Sequence, residues 1–217
     1  MFVFAPHRVV GLCLKHKGYK MKKTLLFCLG ESGSGKSYFI KNTLPDGLFY
    51  NLRSATTRPM RNGESEGDPY FFRNEEYFDT TPLVTRLWVN KDFWCAGKPK
   101  WLYGVPETEV LNHLGQNLIY DVIEPKYARQ MIDWFVQNDL ACAYNFHTAY
   151  FLSPENNLKI AANRANMPND IDVRKNNTCT PDDFLDAGLQ IDFILKPINN
   201  VYDSRLIEHI AFLQKHK

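Results

Sequence analysis

Residues 30–37 read GESGSGKS, directly after TLLFCL at positions 24–29. The preceding run is short and almost wholly apolar, as a strand buried on both faces of a parallel sheet is. Gly30, Gly35, Lys36 and Ser37 satisfy G-x-x-x-x-G-K-[ST], a turn that requires a strand before it and a helix after it. Gly30, Gly33 and Gly35 let the backbone fold back around Ser34, so that successive N–H groups point at one anion. Lys36 is then in reach of the terminal phosphates of a nucleotide, and the Ser37 hydroxyl is a ligand for Mg²⁺. ATP and Mg²⁺ are the expected cofactors. The strand NLIYDVI at 117–123 brings Asp121 to its C-terminal end, where open α/β sheets bind ligands, as the second metal-side group.

Working outward, strands and helices alternate. Residues 24–29 read as a strand, 36–43 as a helix closed by Leu44-Pro45-Asp46-Gly47, and 48–55 as a second strand. From 56 to 104 the pattern changes to short aromatic runs separated by turn dipeptides, the signature of a small antiparallel lobe. Alternation resumes with a helix over 107–114, a strand over 117–123, a helix over 126–137 and a strand over 143–152. A helix then starts at Pro154, and the polar, Asn-rich segment 164–180 has the character of a lid. A strand over 191–195 and a helix over 204–214 complete the chain. The expected fold is α/β: a P-loop core with a central parallel sheet flanked by helices (21–55 and 105–217), an inserted mixed α/β acceptor lobe (56–104), and a lid within the core (155–180).

The chain has 217 residues, 44% hydrophobic and 23% charged, so it has the means to bury a core and does not read as disordered. Its 26 basic and 24 acidic residues are intermixed, which excludes a global field for a nucleic-acid polymer or an anionic membrane. No apolar stretch approaches the ~20 residues of a membrane span. Pro6, His7 and Arg8 interrupt the apolar start, so residues 1–20 read as a disordered extension ahead of Met21 and not as a signal peptide. Five cysteines without metal-like spacing suit a reducing compartment, hence a cytoplasmic location. His113 and His147 lack the neighbours a catalytic triad requires.

The stretch SATTRPMRNGESEGDPYFF at 54–72 gathers Ser54, Arg58, Arg61 and Tyr70 just after a strand. Arginine forks bind phosphate bidentately and hydroxyls complete its oxygens. By itself the set reads equally as a second phosphate pocket or as a solvated turn.

Taken together, GESGSGKS, the SATTRPMR-x-GE-x-x-G-x-x-Y pattern, Tyr103-Gly104 and the strand bearing Asp121 resemble the guanylate kinase family over about residues 23–125. The resemblance implies that Ser54, Arg58, Arg61, Tyr70 and Tyr103 hold the phosphate of an acceptor nucleotide. It implies transfer of the γ-phosphate of ATP to a nucleoside or deoxynucleoside monophosphate, GMP or dGMP by family. It also implies lid arginines that neutralise the transferring group, for which Arg164 and Arg174 have similar separation, and places Asn199 and Asn200 near the donor adenine. The expected partners are small nucleotides, with the chain a monomer or homodimer.

The pattern departs from the family where the base is read. The family's glutamate, hydroxyl residue and second carboxylate are replaced by Trp94, Val105 and Ile123, with Asp92 and Glu124 nearby as substitutes. Loss of buried acceptors for the N1–H and N2–H donors of guanine removes a large source of discrimination. Two other readings therefore stand beside the first: a kinase of another phosphorylated acceptor such as a sugar phosphate, and a non-catalytic module that binds phosphorylated peptides.

Overall fold

The computed structural model describes residues 21–89, 101–153, 179–196 and 202–216. The first sheet is parallel throughout. It contains β1 (Lys23–Leu29), β2 (Tyr50–Asn51), β7 (Leu118–Val122), β8 (Tyr144–Phe151) and β9 (Phe193–Leu195), in the order β2-β7-β1-β8-β9. The second sheet, in the order β4-β3-β6-β5, is built from β3 (Ala55–Thr56), β4 (Phe71–Phe72), β5 (Leu83–Val89) and β6 (Trp101–Pro106).

Strand β1 is central because both of its faces are apolar. Leu25, Phe27 and Leu29 enter one core with Leu118, Tyr120, Met131 and Phe135, whereas Leu26 and Cys28 enter a second with Phe39, Phe151, Leu206 and Ile210. Alternate side chains of a strand point to opposite faces, so one short run nucleates both layers. Helix α4 (Pro125–Gln137) begins with Pro at its first turn and buries Tyr127, Ala128, Met131, Trp134 and Phe135 on the first layer. Helices α1 (Lys36–Asn42) and α6 (Ser204–Lys215) cover the second through Phe39, Leu206, Ile210 and Leu213.

Three expectations are corrected. Residues 48–55 do not form one strand: Tyr50 and Asn51 pair with β7, but the Arg53 N–H donates to Glu109 Oε1 at 3.1 Å instead of to a strand, and Ala55–Thr56 join the second sheet. The Glu109 carboxylate, buried on α3 (Glu107–Leu111), also accepts the Tyr50 hydroxyl at 2.9 Å and so turns the chain from one sheet into the other. The lobe sheet is mixed, since β3 runs parallel to β4 and antiparallel to β6. A helix α5 (Pro181–Asp186) was not foreseen; Thr180 N–H and hydroxyl donate to the Asp183 carboxylate at 2.6 and 2.8 Å and start it.

Cys28 and Cys179 are free and buried, whereas Cys142 is disulfide-bonded. The cysteine count therefore gives no support to a reducing compartment. The proposed extension 1–20, the helix start at Pro154 and most of the lid segment lie outside the described residues. No helix among the described residues is long and apolar enough to cross a membrane.

Candidate active site

The turn after β1 is held by its glycines. Gly30 has φ +147°, and a Cβ there would stand 2.5 Å from the Phe151 carbonyl oxygen on β8; its N–H donates to the Ile123 carbonyl at 3.3 Å. Gly35 ends the turn in the left-handed region at φ +97°, and its carbonyl accepts the Phe39 N–H at 3.0 Å as α1 begins.

Lys36 is only 8% exposed. Its Nζ donates to the carbonyls of Gly30 at 2.7 Å and Glu31 at 3.0 Å, and lies 3.8 Å from Asp121 Oδ1. Because β1 and β7 pair in parallel with Cys28 beside Asp121, the carboxylate is delivered to the mouth of the turn. The Ser37 hydroxyl donates to Asp121 Oδ2 at 3.5 Å. Burial raises the pKa of Asp121, and the Lys36 charge and the hydrogen bond from Ser37 only partly oppose that shift. Ser34 Oγ is buried with no hydrogen-bond partner among the described residues.

A second cluster forms on the lobe sheet. Arg58, 3% exposed, sends Nη2 to both Glu64 oxygens at 2.8 and 2.9 Å and Nη1 to the Pro59 carbonyl at 2.7 Å. Its guanidinium lies over the rings of Tyr70 and Phe72, 5.4 and 5.7 Å from their centroids. Tyr70 meets Tyr103 edge to face at 5.5 Å, and the Arg58 charge acts on the Tyr103 hydroxyl. Arg61 donates its backbone N–H to Glu64 Oε2 at 2.8 Å. Burial pushes both tyrosine pKa values up. Burial also disfavours the Arg58 charge, but the Glu64 hydrogen bond and charge outweigh it. Gly104 is required beside Tyr103, since a Cβ there would lie 2.5 Å from the Thr85 carbonyl oxygen.

The two clusters communicate. The Asp121 charge acts on the Tyr70 hydroxyl, and the hydroxyl of Tyr120, its neighbour on β7, meets Thr85 Oγ1 of β5 at 3.0 Å. Gly30, Gly33, Ser34, Gly35, Lys36, Ser37 and Asp121 thus converge on one side, and Ser54, Arg58, Arg61, Tyr70 and Tyr103 gather on the other. Arg164, Arg174, Asn199, Asn200, Asp92 and Trp94 lie outside the described residues. Val105 is wholly buried, Ile123 packs against the core, and Glu124 pairs with Lys126 at the start of α4. His113 stacks on Tyr50 and bonds the Glu109 carbonyl, a packing role. The sequence reading gave no role to Glu64, Thr56, Thr85 or Tyr120. Glu64 had a signal in its place three residues after Arg61, while the hydroxyl residues had none.

No protein-family model matches the chain. A guanylate kinase of Syntrophomonas wolfei is 38% identical over 99 residues, 44% of this chain and 47% of its own length. A guanylate kinase of a Nostoc species is 32% identical over 123 residues, 55% of this chain and 58% of its own. The chain thus spans about half the length of the curated relatives it matches. Among solved structures, a guanylate kinase from Anaplasma phagocytophilum gives a TM-score of 0.48 at 14% identity, over 81% of this chain and 77% of that one. Over about half its length the chain is thus similar in sequence to curated guanylate kinases.

Proposed function

We propose that the chain is an ATP-dependent phosphotransferase of the guanylate kinase type, acting on a nucleoside or deoxynucleoside monophosphate, GMP or dGMP foremost. The observation that carries the reading is the approach of Lys36 and Ser37 to one half-buried carboxylate, Asp121, whose charge reaches Tyr70 in the arginine–tyrosine cluster. Two anion-binding clusters on neighbouring strands suit transfer between two phosphates better than binding of one.

The residues fit ATP and Mg²⁺. Ser34 Oγ is an unmet buried polar atom in the turn, and Lys36 brings a buried positive charge. Among the described residues no group of three or more His, Cys, Asp and Glu side chains forms a metal site. Ser37 and Asp121 would accordingly hold Mg²⁺ together with nucleotide oxygens, as that ion commonly is held. When bound, the ion supplies charge neutralisation on the donor phosphates.

In this reading the turn from Gly30 to Ser37 orients the donor phosphates. Ser54, Arg58, Arg61, Tyr70 and Tyr103 orient the acceptor phosphate, and the buried Arg58 charge balances its oxygens. No general base is needed, because the attacking phosphate oxygen is already anionic; catalysis is positioning and charge neutralisation. Arg164 and Arg174 are proposed to complete the neutralisation from the lid. The division into core, acceptor lobe and lid, with residues 1–20 as an extension, belongs to the same proposal. So does a cytoplasmic site of action. The intact Lys36, Ser37 and Asp121 set weighs against a module that only binds phosphopeptides.

The test is ADP release with ATP and Mg²⁺ against GMP, dGMP, AMP, CMP, UMP, dTMP, a sugar phosphate and no acceptor. Release that depends on a nucleotide is the expected result. Silence across the nucleotides with ATP still bound would overturn the proposal.

A further inference from the structure

The chain passes from the parallel sheet to the lobe sheet between Leu52 and Ser54. The Leu52 N–H still donates to the Ile119 carbonyl on β7 at 2.8 Å, whereas the Ser54 carbonyl already accepts the Phe71 N–H on β4 at 3.0 Å. Arg53 lies between, and its N–H donates to Glu109 Oε1 at 3.1 Å. Ser54, the first residue of the proposed acceptor cluster, is 8% exposed. Its direction relative to β7 therefore depends on the Arg53 backbone, whose N–H is held by a side chain in place of a sheet ladder.

Glu109 is itself rooted. It is 7% exposed on α3, and the next residue, Val110, is wholly buried in the first core. At the start of α3, Glu107 Oε1 accepts the indole N–H of Trp134 on α4 at 2.9 Å. The Tyr50 hydroxyl donates to Glu109 Oε1 at 2.9 Å, and the His113 ring stacks on Tyr50 with centroids 3.4 Å apart. A carbonyl only accepts, so His113 Nδ1, 2.8 Å from the Glu109 carbonyl oxygen, carries the proton and ties the stack to the same residue. Helix α3 is also the segment by which the chain returns from β6 of the lobe sheet to β7. One carboxylate thus joins the outgoing crossing at Arg53 to the return crossing after Pro106.

We propose that Glu109 is a positioning residue of the acceptor site: it clamps the Arg53 N–H where the two sheets meet and so sets the angle at which Ser54 and the arginine–tyrosine cluster face the strand of Asp121. Tyr50 and His113 hold the carboxylate in register. Glu109 acts through the backbone of Arg53 and Ser54, not on the substrate. The phosphate turn follows β1 and does not pass through this junction, so the donor side is independent of it. The inference rests on the acceptor-site reading above.

The test is calorimetric titration with GMP and, separately, with ATP and Mg²⁺, alongside steady-state kinetics, for the wild type, Glu109→Leu, Glu109→Gln and Glu109→Asp. Glu109→Leu leaves the Arg53 N–H without its acceptor; it is expected to weaken GMP binding and raise the acceptor KM roughly tenfold while ATP affinity is unchanged. Glu109→Gln keeps an oxygen for both donors and is expected to retain near wild-type values. Glu109→Asp keeps the charge on a shorter arm and is expected to fall toward Glu109→Leu. A folded Glu109→Leu chain with wild-type GMP affinity overturns the inference, as does an equal loss of GMP and ATP affinity, the mark of a merely structural role. A Glu109→Gln chain as impaired as Glu109→Leu overturns it too. Should Glu109→Leu fail to fold, the other two decide: a higher acceptor KM in Glu109→Asp than in Glu109→Gln supports the clamp, and equal values overturn it. A wild type that binds neither GMP nor inorganic phosphate overturns the acceptor-site reading itself, and the clamp's role with it.

Discussion

The Arg58 guanidinium faces the Glu64 carboxylate with Nη2 at 2.8 Å from Oε1 and 2.9 Å from Oε2, and the same carboxylate accepts the Arg61 backbone N–H. One acidic side chain thus fixes both arginines of the proposed acceptor cluster. Glu64→Ala strands a buried guanidinium, and a loss of about 2–3 kcal/mol is expected, seen as a melting temperature lower by roughly 5–10 °C. Acceptor KM should rise while ATP affinity holds. A Glu64→Ala chain as stable as the wild type would show that Arg58 finds another partner.

The same pair gives a pH dependence. Burial acts to raise the Glu64 pKa, but the hydrogen bonds from Arg58 and the Arg61 N–H, with the charges of both, bring it below its ordinary value. A carboxyl whose folded pKa is depressed stabilises the fold above its unfolded pKa, and that contribution fades as pH falls through the folded one. Chemical denaturation should show stability falling below the usual carboxylate range, with a shallower fall in Glu64→Gln. Parallel pH profiles for the two chains would remove Glu64 as the source.

Asp121 has the opposite sign. Its pKa is raised by burial, so the ionised form is disfavoured in the folded state at neutral pH, and stability is recovered as pH falls through the folded pKa toward the unfolded one. Asp121→Asn should therefore leave the chain as stable as the wild type or more so at neutral pH, while Mg²⁺-dependent turnover drops. Thermal melts and kinetics on the same preparation check both halves; a variant that is unstable but fully active would contradict each.

Lys36→Ala removes the ammonium that bridges the Gly30 and Glu31 carbonyls and faces Asp121. Turnover should fall by at least about two to three orders of magnitude, the scale of one lost charge-stabilising donor, with the circular dichroism spectrum unchanged. Retained turnover would sink the assignment of the turn.

Gly30→Ala meets two obstacles, a φ of +147° and a Cβ 2.5 Å from the Phe151 carbonyl oxygen. Backbone strain alone costs about 1–3 kcal/mol, so a melting temperature lower by at least several degrees is expected, with weaker ATP binding because β8 and the turn are pushed apart. An unchanged melting curve would mean that the backbone relaxes freely at this point.

What the sequence determined by itself was local. The strand at 23–29, the glycine turn and the helix from Lys36 could be read because each depends on residues within a few positions: an apolar run, glycines that accept positive φ, and a helix start. The helix at 125–137 could be read from its apolar spacing after Pro125, and Thr180-Pro181-Asp182-Asp183 offered a start signal for α5 that the polar character of the preceding segment masked. Tertiary structure decided the rest. Residues 48–55 have the composition of one strand, but a carboxylate from Glu109, distant in sequence, takes the Arg53 N–H and divides them between two sheets. The pairing of Tyr120 with Thr85, which also accepts the Val105 N–H, is likewise invisible along the chain, because a buried hydroxyl needs a partner and only the approach of β5 to β7 supplies it.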